Sequence, residues 1–85
     1  MSKKRYALVG TGSRSRMFID AIITTYREEA ELVAFCDLSH VRMAWYNEHI
    51  NRIAGLSSLP MYHADQFDQM ISESKPDTVI VTTMD

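Results

Sequence analysis

Gly10 and Gly12 follow directly on the apolar run Tyr6-Ala7-Leu8-Val9, and Asp37 closes the next apolar run, Leu32-Val33-Ala34-Phe35-Cys36. A strand that breaks into a glycine turn and then enters a helix is a setting for phosphate. One glycine permits the tight turn, and the second leaves no Cβ between the backbone and a pyrophosphate. The N–H groups and dipole at the start of the helix then favour the negative charge. Asp37 lies 25 positions after Gly12. A carboxylate there can accept hydrogen bonds from both hydroxyls of an adenosine ribose and would repel a 2′-phosphate. The chemistry indicated is dinucleotide binding, with NAD favoured over NADP.

Other residues near the turn are open to two readings. Arg14 and Arg16 can approach a pyrophosphate or a 2′-phosphate as charge-assisted donors, or remain solvated. Ser15 stands where the fingerprint has glycine or alanine, and its small size implies a slight displacement of the helix with the site retained. Arg42 lies five residues past Asp37, within reach of an adenine or simply at the surface. Trp45 falls on the polar side of its helix, where it marks a contact surface or packs on Arg52 or Glu48. His40, His49 and His63 have no metal-ligand spacing with one another or with Cys36. The lysine that a P-loop needs is missing from Gly10-Thr11-Gly12.

The elements that must position these residues are legible from periodicity. The chain has 85 residues, 46% hydrophobic and 24% charged, which suits one small soluble domain. A net charge of −2, with no interleaving of basic and aromatic residues, argues against nucleic acid. No apolar stretch reaches the roughly 18 residues of a membrane span, and no signal-peptide pattern is present. Lys3, Lys4 and Arg5 read as a solvated lead-in to the first strand. The single cysteine, Cys36, cannot form an internal disulfide, and it suits a reducing, cytoplasmic setting and inert burial.

Residues 5–10 read as a strand, followed by a helix over 13–28 with Phe18, Ala21, Ile22, Thr25 and Tyr26 on its apolar face. The second strand runs from Leu32 to Asp37. Ser39 is placed to cap a second helix that ends at Ala54 and stops at Gly55. Met43, Tyr46, Ile50, Ile53 and Ala54 share its inner face. A short strand at 60–62 and a helix over 65–74, with Phe67, Met70 and Ile71 inward, come next. After the turn Lys75-Pro76-Asp77, the β-branched run 78–82 reads as a strand buried on both faces. The order β-α-β-α-β-α-β predicts an α/β, Rossmann-type parallel sheet of four strands and three helices, with the fourth strand beside the first. Such a strand would be central in a six-stranded sheet. Its open apolar edge predicts that the chain is part of a larger protein, or that something covers the edge.

These residues resemble the N-terminal half-domain of the glucose–fructose oxidoreductase and inositol 2-dehydrogenase family (Gfo/Idh/MocA). The resemblance extends over nearly the whole chain. It rests on Gly10-Thr11-Gly12, on Asp37 followed by Arg42, and on the run from Lys75-Pro76-Asp77 through Thr82. It implies a Rossmann domain over residues 1–85, incomplete here, and an α/β substrate domain outside this chain. It also implies hydride transfer between NAD(P) and a sugar, polyol or related compound. Gly10, Gly12, Ser13 and Arg14 would flank the pyrophosphate, Asp37 would hold the ribose, and Arg42 would lie near adenine. Thr82 and Thr83 would approach the cofactor from the end of the fourth strand. Met84-Asp85 stand where the family often has proline-asparagine. The family's usual catalytic lysine and its aspartate–histidine pair correspond to no residue here.

Two further readings compete. A non-catalytic nucleotide-sensing or self-assembling module would use the fourth-strand edge or the Trp45 surface to form a homo-oligomer. Methyl transfer from S-adenosylmethionine shares the glycine turn, but it usually has an acidic residue just before the glycines, where Leu8-Val9 stand.

Overall fold

The computed structural model describes residues 3–10 and 14–82. Strand β1 (Lys4–Val9) is followed in the chain by helix α1 (Ser15–Asp20), which continues as a π-helical segment (Ala21–Thr25). Then come β2 (Ala30–Asp37), α2 (His40–Ala54) and β3 (Met61–His63). A 3-10 turn (Ala64–Gln66) leads into α3 (Phe67–Ser74), and β4 (Thr78–Val81) follows. The strands form one parallel sheet in the order β3-β2-β1-β4, as the alternating pattern predicts.

Helices α1 and α2 cover one face, where Leu8 and Phe35 meet Ile19, Met43 and Ile50. On the other face Met70 of α3 packs with Ala7, Val33 and Cys36. Between Tyr6 and Ala7 the register of β1 against β2 shifts, so Val33 is an extra residue on β2. Such a bulge changes the side-chain alternation by one position. It explains how Leu32 and Phe35, three residues apart, both reach the first core.

Capping sets the limits of α2 as expected. Ser39 accepts a hydrogen bond from the Arg42 N–H at 3.2 Å, and Gly55 ends the helix with φ 69°, a left-handed conformation natural to glycine. In α3 the expected single helix is divided. His63 caps the 3-10 turn, Gln66 returns a bond to the His63 N–H, and the α-helix starts only at Phe67.

The buried faces differ from expectation in several places. On α1 and its π continuation the buried residues are Ser15, Ile19, Ile22 and Ile23, while Phe18 and Tyr26 are exposed. Both sets have helical spacing and share Ile22, so periodicity alone does not choose between them. The π segment also adds residues per turn, which moves Thr25 and Tyr26 off the face that a regular helix would give them. Ile53 and Phe67 are likewise exposed, not inward. Strand β4 is only half-buried, with Val81 60% exposed, because it lies at the sheet edge and not between two strands.

The basic lead-in is not simply solvated. The Arg5 guanidinium donates to the carbonyls of Ser74 (2.6 Å) and Lys75 (3.3 Å) at the carboxyl end of α3. Its backbone N–H donates to the Asp77 carboxylate and its carbonyl accepts from the Asp77 N–H, both at 2.8 Å. Arg5 therefore fastens the Lys75-Pro76-Asp77 turn, where Lys75 has φ 48°.

Candidate functional site

The glycine turn begins where β1 ends, between the carboxyl ends of β2 and β4. Val9 is in register with Cys36 on one side and Val81 on the other. The chain leaves β1 toward β2 on one side and returns to β4 on the other, so this is the topological switch point of the sheet. In open α/β sheets the ligand crevice lies at the carboxyl ends of the strands at such a point.

Gly10 adopts φ 88°, which a residue with a Cβ rarely tolerates, so glycine is required at the first position of the turn. Its N–H donates to the Cys36 carbonyl at 2.8 Å, tying the turn to the end of β2. Its carbonyl accepts the Thr82 hydroxyl at 2.6 Å, and the Thr82 N–H donates to the Val9 carbonyl at 2.8 Å. Gly10 is thus held from both neighbouring strands. Gly12, Ser13 and Thr83 lie outside the described residues.

Ser15 occupies the fingerprint's third position at the start of α1 and is completely buried. A serine is therefore accommodated where helix and sheet approach closely. Arg14 precedes it and is exposed. Arg16 turns away toward α2, lying 3.7 Å from Asp20 with its guanidinium 5.9 Å from the Trp45 ring centre.

Asp37 ends β2 beside the crevice, half-buried, and its Oδ1 accepts the Leu38 N–H at 2.6 Å. That bond orients the carboxylate at the strand end. Arg42 follows in the first turn of α2, exposed. Next to Asp37 in the chain, Cys36 is fully buried and its Sγ lies 3.5 Å from the His63 carbonyl. Burial first, and then the charges of Asp37 and Asp65, push the thiol above its ordinary value.

Periodicity did not reveal how α1 is held. His49 of α2, 3% exposed, places Nε2 2.7 Å from the Asp20 carboxylate. Trp45 stacks on the His49 ring at 5.1 Å, meets Tyr46 edge-on at 4.9 Å, and has the Arg16 guanidinium 5.9 Å from its ring centre. Asp20 and His49 lie 29 residues apart on different helices, and no local spacing signals the pair. Among the described residues no group of three histidine, cysteine or acidic side chains is placed to hold a metal ion, and no helix is long and apolar enough to cross a membrane.

No family model and no curated protein matches the chain. Among solved structures, the chain is similar to the WlbA dehydrogenase from Chromobacterium violaceum, determined in complex with NADH and UDP-GlcNAcA. The two share 30% sequence identity with a TM-score of 0.70, over 95% of this chain and 21% of the dehydrogenase. The chain thus spans about a fifth of the length of that enzyme.

Proposed function

We infer that this chain, a Gfo/Idh/MocA-like Rossmann half-domain, binds the adenosine and pyrophosphate half of NAD within a nicotinamide-dependent oxidoreductase. The observation that carries the reading is the position of Gly10 and Asp37. A positive-φ glycine opens the crevice at the sheet's switch point, and a carboxylate ends the adjacent strand. The similar dehydrogenase, crystallised with NADH and a sugar nucleotide, supports both the cofactor and a sugar, polyol or related substrate.

In this reading Gly10, Gly12, Ser13 and Arg14 flank the pyrophosphate, Asp37 accepts from the ribose hydroxyls, and Arg42 borders the adenine. Thr82 and Thr83 lie at the side nearer the nicotinamide. Bound NAD supplies hydride transfer, while this chain's residues bind and orient it. The groups that bind substrate and exchange its proton lie outside residues 1–85, so the chain alone is inactive. It belongs to a soluble, cytoplasmic protein.

Calorimetric titration tests this. NAD and ADP-ribose should bind with similar, modest affinity, and NADP more weakly. Asp37→Ala should weaken NAD about tenfold or more, the value of a charge-assisted hydrogen bond, and should narrow the difference from NADP. Unchanged affinity in the variant would remove Asp37 from the site.

A second reading rests on the open edge of β4, where Val81 is 60% exposed. A self-assembling, nucleotide-sensing module would pair this edge with a second copy. A monodisperse monomer across concentrations in size-exclusion chromatography counts against it.

A further inference from the structure

We propose that a cavity at the amino end of β2 binds a small carboxylate with an apolar body, such as a medium-chain or aryl acid. The cavity encloses about 410 Å³, within the size range of small-molecule pockets. It opens between the π-helical segment and the loop that joins α2 to β3. Its floor is apolar, made by Ile22 and Ile23, Leu32 of β2, Ala54 at the end of α2, and Leu59. The π turn sets two consecutive isoleucines against the sheet, 6% and 4% exposed. π-Helical turns recur at functional sites.

The rim carries the charge. Lys3 and Arg27 line the opening, and among the described residues neither makes an ion pair. The acid beside them, Glu31, is engaged by Arg5 at 3.6 Å. Two cations over an apolar floor fit a ligand with one anionic end and an apolar remainder. A polyphosphate would leave the floor unused, and a neutral hydrocarbon would leave the cations unused.

This site is distinct from the dinucleotide crevice. It lies against Ala30 and Leu32, whereas the crevice lies beyond Asp37 at the other end of the same strand. Seven steps of extended chain, from Ala30 to Asp37, separate the two ends by roughly 23 Å.

The probe is octanoate, titrated into the isotope-labelled chain while amide chemical shifts are followed, with octanol and octylamine in parallel. Saturable shifts are expected at Ala30, Leu32 and Ala54, with octanoate binding about three- to tenfold more tightly than octanol, as one or two exposed charge contacts allow. Octylamine should bind most weakly. In Lys3→Ala/Arg27→Ala, two exposed positions, octanoate should fall to the level of octanol. Absence of saturable shifts at the floor, octylamine equal to octanoate, or a double variant that keeps the preference would each overturn the proposal.

Discussion

The hydroxyl of Thr82 donates to the carbonyl of Gly10 at 2.6 Å, across 72 residues of sequence. The residue that follows β4 thus holds the backbone at the point where the first strand ends. Thr82→Val keeps the shape and removes the hydroxyl, leaving the part-buried Gly10 carbonyl without this donor. The expected loss is about 1 kcal/mol in urea unfolding, with weaker NAD binding under the proposed function. Lost stability with unchanged NAD affinity would confine Thr82 to a structural role.

Arg5 acts on α3 through carbonyls at the helix end, where a cation also meets the favourable end of the dipole. Arg5→Ala should cost about 1–2 kcal/mol, a fall of several degrees in Tm for a domain of this size. Arg5→Lys should recover only part, since an ammonium lacks the planar fork that reaches both carbonyls. Glu31→Gln breaks an exposed ion pair and should change Tm little. A large effect of Glu31→Gln with none from Arg5→Ala would reverse this assignment.

Tyr62 on β3 donates its hydroxyl to Glu73 of α3 at 2.7 Å, and Gln69 donates to the other carboxylate oxygen at 3.1 Å. The Tyr62 bond, and then that from Gln69, hold the Glu73 carboxyl below its ordinary value of 4.5. The same bond to Glu73, followed by burial, raises the Tyr62 phenol above 10.0. A lowered carboxyl stabilises the fold above its unfolded value, and the stabilisation is lost as pH falls through the folded value. A raised phenol does the reverse, stabilising below 10.0 and losing that contribution as pH rises through its folded value. Denaturation midpoints should therefore decline on both sides. Tyr62→Phe should weaken both limbs, leaving on the alkaline side the contribution of the raised Cys36 thiol, and a variant with wild-type limbs would exclude the pair as a source of either.

Cys36 is inaccessible and its thiol is raised in pKa, chiefly by burial. Reaction with a thiol reagent at neutral pH should be slow in the folded chain and should accelerate with denaturant in step with unfolding. Fast reaction without denaturant would show that the end of β2 opens locally, next to Asp37.

Local patterning was enough for the order of strands and helices, the limits of α2, the glycine turn and the placing of Asp37. Each depends on nearest neighbours: a capping hydroxyl three residues from its N–H, a glycine where φ must be positive, an apolar run long enough for a strand. The parallel order β3-β2-β1-β4 also followed, because alternating elements with right-handed crossovers leave few arrangements.

Contacts distant in sequence decided the rest. Ile19 and Ile23 were chosen over Phe18 and Tyr26 by the sheet beneath them and by a π turn that no propensity marks. Arg5 meets the end of α3, His49 meets Asp20, and Thr82 meets Gly10, each pair brought together by the tertiary fold. Residue types suggest that the glycine turn and the carboxylate serve one site, as the proposed function has it. Only the register of three parallel strands brings Gly10 and that carboxylate to the same, carboxyl end of the sheet, because hydrogen bonding between strands, unlike helical periodicity, pairs residues without regard to their distance along the chain.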